Sequence, residues 1–144
     1  MKCVILYLTR GDFMKLDVYE PLYEMANFSR NTTGENFELW IDDSGKNRNV
    51  GHSLPRFKPK ANNIELDIVI DGDSIYIDNA NPRDIRKFKY SKDALDFIRR
   101  FKKPLLMHWN REIDTAELGL IMKLVVKKNY TVDNAVEAVL NDDF

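Results

Sequence analysis

Two histidines are the only side chains whose ordinary pKa suits proton transfer near neutral pH. His52 lies in GHSLPRFKPK (51–60), among Arg56, Lys58 and Lys60. A histidine beside cations could serve as the base in RNA cleavage, with Lys or Arg stabilising charge on the phosphorus. Such a site also wants a second acid/base group on the far side of the phosphate, and spacing does not bring His108 there. A loop histidine hydrogen-bonded to the backbone is the commoner case. His52 with Arg56 and Lys58 is therefore a candidate ribonuclease-type set and not a complete catalytic constellation.

His108 lies in PLLMHWNRE beside Trp109. A histidine in a short apolar helix is more often a core or rim residue than a catalyst. Trp40 and Trp109 are expected in or near the core, with partner binding the rarer role. Asp71 and Asp73 flank Gly72, and turn formation accounts for them. Calcium-loop spacing lacks the further ligands it needs. Asp42-Asp43 and Asp142-Asp143 would meet only by accident of folding. The single thiol, Cys3, cannot form an intramolecular disulfide, and one Cys with two His cannot build a four-ligand zinc site. No GxGxxG, P-loop, GxSxG or HExxH motif is present. No metal and no cofactor is expected.

Charge is the more informative feature. The chain has 144 residues, with 22 Lys plus Arg against 23 Asp plus Glu, a formal net charge of −1. That balance excludes a uniformly basic nucleic-acid module. It is an average over segregated blocks. Residues 1–45 carry −4 and 46–60 carry +5, from Lys46, Arg48, Arg56, Lys58 and Lys60. Residues 61–82 carry −5, from Glu65, Asp67, Asp71, Asp73 and Asp78. Residues 83–103 carry +6, with Arg99, Arg100, Lys102 and Lys103 at their end, and 104–144 carry −3. Blocks of this kind create local potentials that net charge conceals. The basic blocks also hold Phe57, Phe88, Tyr90, Phe97 and Phe101. Folded onto one surface they could bind phosphates and stack a base. The plainer expectation is that the acidic hairpin and the basic helix neutralise one another, because charge runs are usually solvated faces.

The elements that would position these residues follow from periodicity. Residues 3–9 read as a buried strand and 17–28 as a helix, with Pro21 allowed only in its first turn. Residues 30–36 read as a polar loop and 37–41 as a strand. Residues 42–63 read as one long irregular segment, a length that is usually functional or mobile. IELDIVI (64–70) alternates as a strand, turns at Asp71-Gly72 and returns as SIYI (74–77). A further turn follows at 79–82. Beyond it the chain reads as helices. One covers 92–102 with Ser91 as cap, and a short one follows with Pro104 at its first position. The last two cover 115–128 and 132–140, the second capped by Thr131. Strands first and helices afterwards predict a single α+β domain with a small antiparallel sheet, a strand and loop part to about 82 and a helical part after it.

At 144 residues one core suffices, and 44 % apolar with 31 % charged residues suits a globular chain. The first apolar run, Cys3 to Leu8, is short and lacks a small-residue cleavage signature, and no run approaches the roughly 18 apolar residues of a membrane span. A cytoplasmic protein without a membrane partner is expected. The last helix pair has the outline of a helix–turn–helix reader, but its second helix carries Asp133, Glu137, Asp142 and Asp143 and no base. DNA would repel it. Docking or homo-oligomerisation through these helices is the more reasonable expectation.

ELWIDD, His52-Ser53-Leu54-Pro55-Arg56-Phe57-Lys58, the strand IELDIVI, the helix DALDFIRRF and LLMHW together resemble a small bacterial domain family of unknown function. The resemblance covers about 37–113. That family shows an H-x-P-H-F-H-like loop and is often encoded near toxin–antitoxin-type partners, which is the setting the resemblance implies. Arg56 and Lys58 replace the later histidines, so the loop suits binding better than catalysis. The leading expectation is a non-enzymatic interaction protein of the prophage or mobile-element kind. It would bind a protein or nucleic acid through 46–60 and 83–103. An inhibitor of a host defence nuclease, with Glu65, Asp67, Asp71, Asp73 and Asp78 mimicking nucleic acid, is one form of it.

Overall fold

The computed structural model describes residues 25–42 and 54–144. The expected strand 3–9, most of the expected helix 17–28, Arg48 and His52 lie outside them.

Six strands form one antiparallel sheet: β1 (Met25–Phe28), β2 (Glu38–Asp42), β3 (Arg56–Ala61), β4 (Ile64–Glu65), β5 (Ile68–Asp71) and β6 (Ser74–Ile77). The order is β1-β2-β3-β5-β6, with β4 also paired to β3. Among the described residues the helices are α1 (Arg30–Thr33), α2 (Pro82–Lys87), α3 (Ser91–Arg100), α4 (Lys102–Trp109), α5 (Thr115–Lys128) and α6 (Val132–Leu140). The domain is α+β, as the order of elements predicts.

One sheet face is apolar because its strands alternate. Phe57 pairs with Ile41 on one side and Ile68 on the other, and Ile68 pairs with Ile77. Phe28 and Leu39 extend the face. The helices supply the opposing layer, with Phe97, Ile98, Phe101, Leu105, Leu118, Ile121, Met122 and Val136 buried in the same cluster. Phe97 stacks on Phe101 at 4.5 Å between centroids and meets Phe37 edge-on at 5.8 Å.

Several expectations are corrected. The end of the expected helix 17–28 is strand β1, in which Phe28 is buried and Asn27 exposed. Pairing with β2 decides it, since four residues gain a ladder they could not match as an isolated helical turn. The polar loop 30–36 contains the one-turn helix α1, closed by Gly34 at φ 73. The irregular segment 42–63 ends in β3, whose burial alternates from Arg56 to Ala61 despite Pro59. Asn62 and Asn63, both at positive φ, turn β3 back into β4. The strand 64–70 keeps one register but is interrupted at Leu66–Asp67. Leu66 donates to the Pro59 carbonyl at 2.9 Å, and Pro59 has no N–H to return the bond. Asn79 bridges the gap. Its Oδ1 accepts from Asp67 N–H at 2.7 Å and its Nδ2 donates to the Glu65 carbonyl at 2.9 Å. Residues 82–87 are helix α2, capped by Asn81.

Helix ends also shift. Ser91 is the first residue of α3 rather than its cap, and its hydroxyl donates to the Phe88 carbonyl. Pro104 is third in α4, a position whose N–H has no intrahelical partner. Helix α5 covers the expected 115–128, and Asp114 caps it in a reciprocal capping box with Glu117. Thr131 caps α6 as expected, and Asn129 ends α5 in the left-handed conformation.

Candidate anion-binding groove

The groove starts from a corner between two helices. Phe101 ends α3 and opens α4, and it is fully buried. Burying that ring fixes the bend and turns its neighbours outward. Arg99 and Arg100 occupy the last turn of α3, and Lys102 and Lys103 the first turn of α4. Bases at the end of α3 complement its dipole. Bases at the start of α4 oppose it, and that turn holds no acid. The chain thus concentrates positive potential at the corner, at a cost to α4.

Helix α6 completes the site. Thr131, Val132 and Asp133, its cap and first two residues, face the corner across an open groove of about 480 Å³ lined also by Arg99, Arg100, Lys102, Lys103 and Leu106. The N-termini of α4 and α6 therefore both border it. Four bases and one acid line it. Helix N-termini and bases favour the same ligand class, an anion.

Each base has a local contact. Arg99 donates to Asp96 at 3.1 Å. Asp96 also accepts from Lys92 at 3.1 Å, and that bond, with both positive charges, holds its carboxyl below the usual range. The Arg100 guanidinium lies 5.6 Å from the Phe101 ring centre. Its charge also reaches Glu35, whose carboxyl is nevertheless pushed up by burial and by Asp93. Lys102 donates to the Gly72 carbonyl at 2.8 Å and comes within 4.0 Å of Asp73. Lys103 reaches Asp133 at 3.5 Å. The Arg99–Asp96 and Lys103–Asp133 pairs are exposed to water and Lys102 is partly so, and exposed pairs hold weakly. An incoming anion displaces them at little cost.

The described bases of the first block, Arg56, Lys58 and Lys60, do not share the corner's surface. Arg56, Lys58 and Lys60 alternate with Phe57 and Ala61 and so lie on the sheet face away from the helices. That face is compensated. Arg56 donates to Asp67 at 3.1 Å and Asp78 at 2.9 Å. Burial would lower the guanidinium pKa, but the bond to Asp78 and the charge of Asp67 outweigh it and raise it. Lys60 stands between Glu38 and Glu65 on the neighbouring strands, with its ammonium 5.0 Å from the Trp40 ring centre. Trp40 is accordingly half-buried on this outer face and outside the core cluster, while Trp109 is buried. The acidic hairpin is paired with Arg56 within the sheet, and from the 83–103 block Lys102 reaches Asp73 and the Gly72 carbonyl. Asp71 and Asp73 are exposed at the β5–β6 turn.

His108 is buried on α4, with Nε2 3.0 Å from the Thr115 hydroxyl. It pins α4 to the start of α5. Among the described residues no group of three or more His, Cys, Asp or Glu could hold a metal ion, and no helix is long and apolar enough to cross a membrane. The apolar side of α6, Ala135, Val136 and Val139, is buried within this chain, while Leu140 at its end and Phe144 beyond it are exposed.

Of the sequence candidates, the structure brings together Arg99, Arg100, Lys102 and Lys103, and separates them from Arg56, Lys58 and Lys60. Thr131, Val132 and Asp133 were not legible as their partners, because a contact across 30 residues leaves no local signal. Comparison with protein-family models, curated proteins and solved structures gives no match.

Proposed function

We propose that the chain is an interaction module that holds the phosphate backbone of a nucleic acid in the groove between α3, α4 and α6. The observation that carries this reading is the convergence of four bases and two helix N-termini on one groove lined by a single acid. The lining includes no aromatic side chain, so bases find no stacking platform there. Recognition then rests on phosphate charge and not on base identity. Such a partner implies action in the cytoplasm. A nuclease-inhibitor form of the reading would use the acidic hairpin. With Asp67 and the exposed Asp78 held by Arg56, the exposed carboxylates outside that pairing are Asp71 and Asp73.

The test is binding of a labelled single-stranded oligothymidylate across a salt series. Three to four phosphate contacts give a linear fall of log affinity with log salt, of slope about −2 to −3. A flat response, or no binding at low salt, overturns the reading.

A further inference from the structure

Asp133 is the acid that lines the groove, and its position is unusual for a site that takes an anion. It is the second residue of α6, where a carboxylate complements the helix dipole. Its Oδ1 lies 3.5 Å from Lys103 Nζ, and the side chain is 82 % exposed, so nothing packs it in place. A phosphate approaching Lys103 and the start of α6 must meet this carboxylate.

Resting on the reading of the groove as a phosphate site, we infer that Asp133 is the groove's resident counter-ion. It neutralises Lys103 when the groove is empty and gives way when a phosphate enters. The consequence is thermodynamic. Each phosphate that a base neutralises gives up the cation condensed on it, and that release produces the salt dependence. When Lys103 turns from Asp133 to a phosphate, the freed carboxylate takes a cation back up from solution. Lys103 therefore contributes contact with little net ion release and adds little to the salt slope. Asp133 also repels the entering phosphate, so it weakens binding and narrows the groove's preference to ligands dense enough in charge to displace it.

The experiment compares wild type with Asp133→Asn, using the same labelled oligothymidylate across the same salt series. Asp133→Asn is expected to bind about three-fold tighter at low salt, which matches the modest strength of an exposed pair. Its slope should steepen by about 0.7, the increment of one single-strand phosphate contact. In a Lys103→Gln background the same change should leave the slope unaltered, which separates the counter-ion role from general repulsion. Circular dichroism melting of each variant confirms that the helix start survives loss of its dipole partner. A wild type that binds with a clear slope, beside an Asp133→Asn of equal affinity and slope, overturns the counter-ion role and leaves the groove intact as a phosphate site. A wild type that does not bind overturns both.

Discussion

The charged residues of this chain divide into those consumed by the fold and those left facing water. Arg56 belongs to the first group. It is mostly buried and spans Asp67 and Asp78, so it ties β3 to both ends of the β5–β6 hairpin. Replacing it by Met leaves two carboxylates facing each other without their cation. Arg56→Met is expected to cost about 2 kcal/mol, read as a shifted urea midpoint. Glu35 shows the opposite sign. Its raised pKa means that the ionised carboxyl opposes folding. That cost is absent below the unfolded pKa and complete above the folded one. Glu35→Gln should therefore melt slightly higher than wild type at pH 7, by a few tenths of a kcal/mol, since the site is partly open to water. The difference should close as pH falls through the carboxylate range. An advantage for the variant at pH 3 but not at pH 7 would contradict the assignment.

The elements show why periodicity reaches some strands and not others. The hairpin 68–77 is legible because Asp-Gly sits between alternating apolar runs. Strand β3 is not, because RFKPKA alternates large aromatic, proline and alanine on its inner side and charges on its outer side. Proline argues against a central strand, yet Pro59 is accommodated where its missing N–H faces the interruption between β4 and β5. The Asn62-Asn63 pair carried the turn signal for that hairpin. The helices from 91 onward are legible by their 3.6-residue stripe and caps, with starts one or two residues off for α3 and α4 and as expected for α5 and α6. Gly34 illustrates a constraint that no local pattern shows. It ends α1 at φ 73, and a Cβ there would lie 2.6 Å from Val126 Cγ1 on α5. Gly34→Ala combines backbone strain with a clash and should cost about 2 kcal/mol, visible as a lower Tm. An unchanged Tm would mean that α1 and α5 are not packed as described.

At the scale of the whole molecule, a net charge of −1 conceals a division by layer. The outer sheet face balances Arg56, Lys58 and Lys60 against Glu38, Glu65, Asp67 and Asp78. The helical side leaves four bases around one groove with Asp133 as the acid in its lining. The block sums identified both basic segments, but only folding shows that the described bases of the first lie on the outer sheet face, where Arg56 spans Asp67 and Asp78, while the second gathers Arg99, Arg100, Lys102 and Lys103 around one groove with mostly exposed partners. The most direct measurement is oligothymidylate affinity of two double variants, each losing two positive charges. Arg100→Gln with Lys103→Gln should weaken binding at least ten-fold and flatten the salt slope. Lys58→Gln with Lys60→Gln, equal in net charge, should leave affinity within about two-fold. Equal losses from the two variants, or a larger loss from the sheet-face pair, would contradict the assignment of the groove.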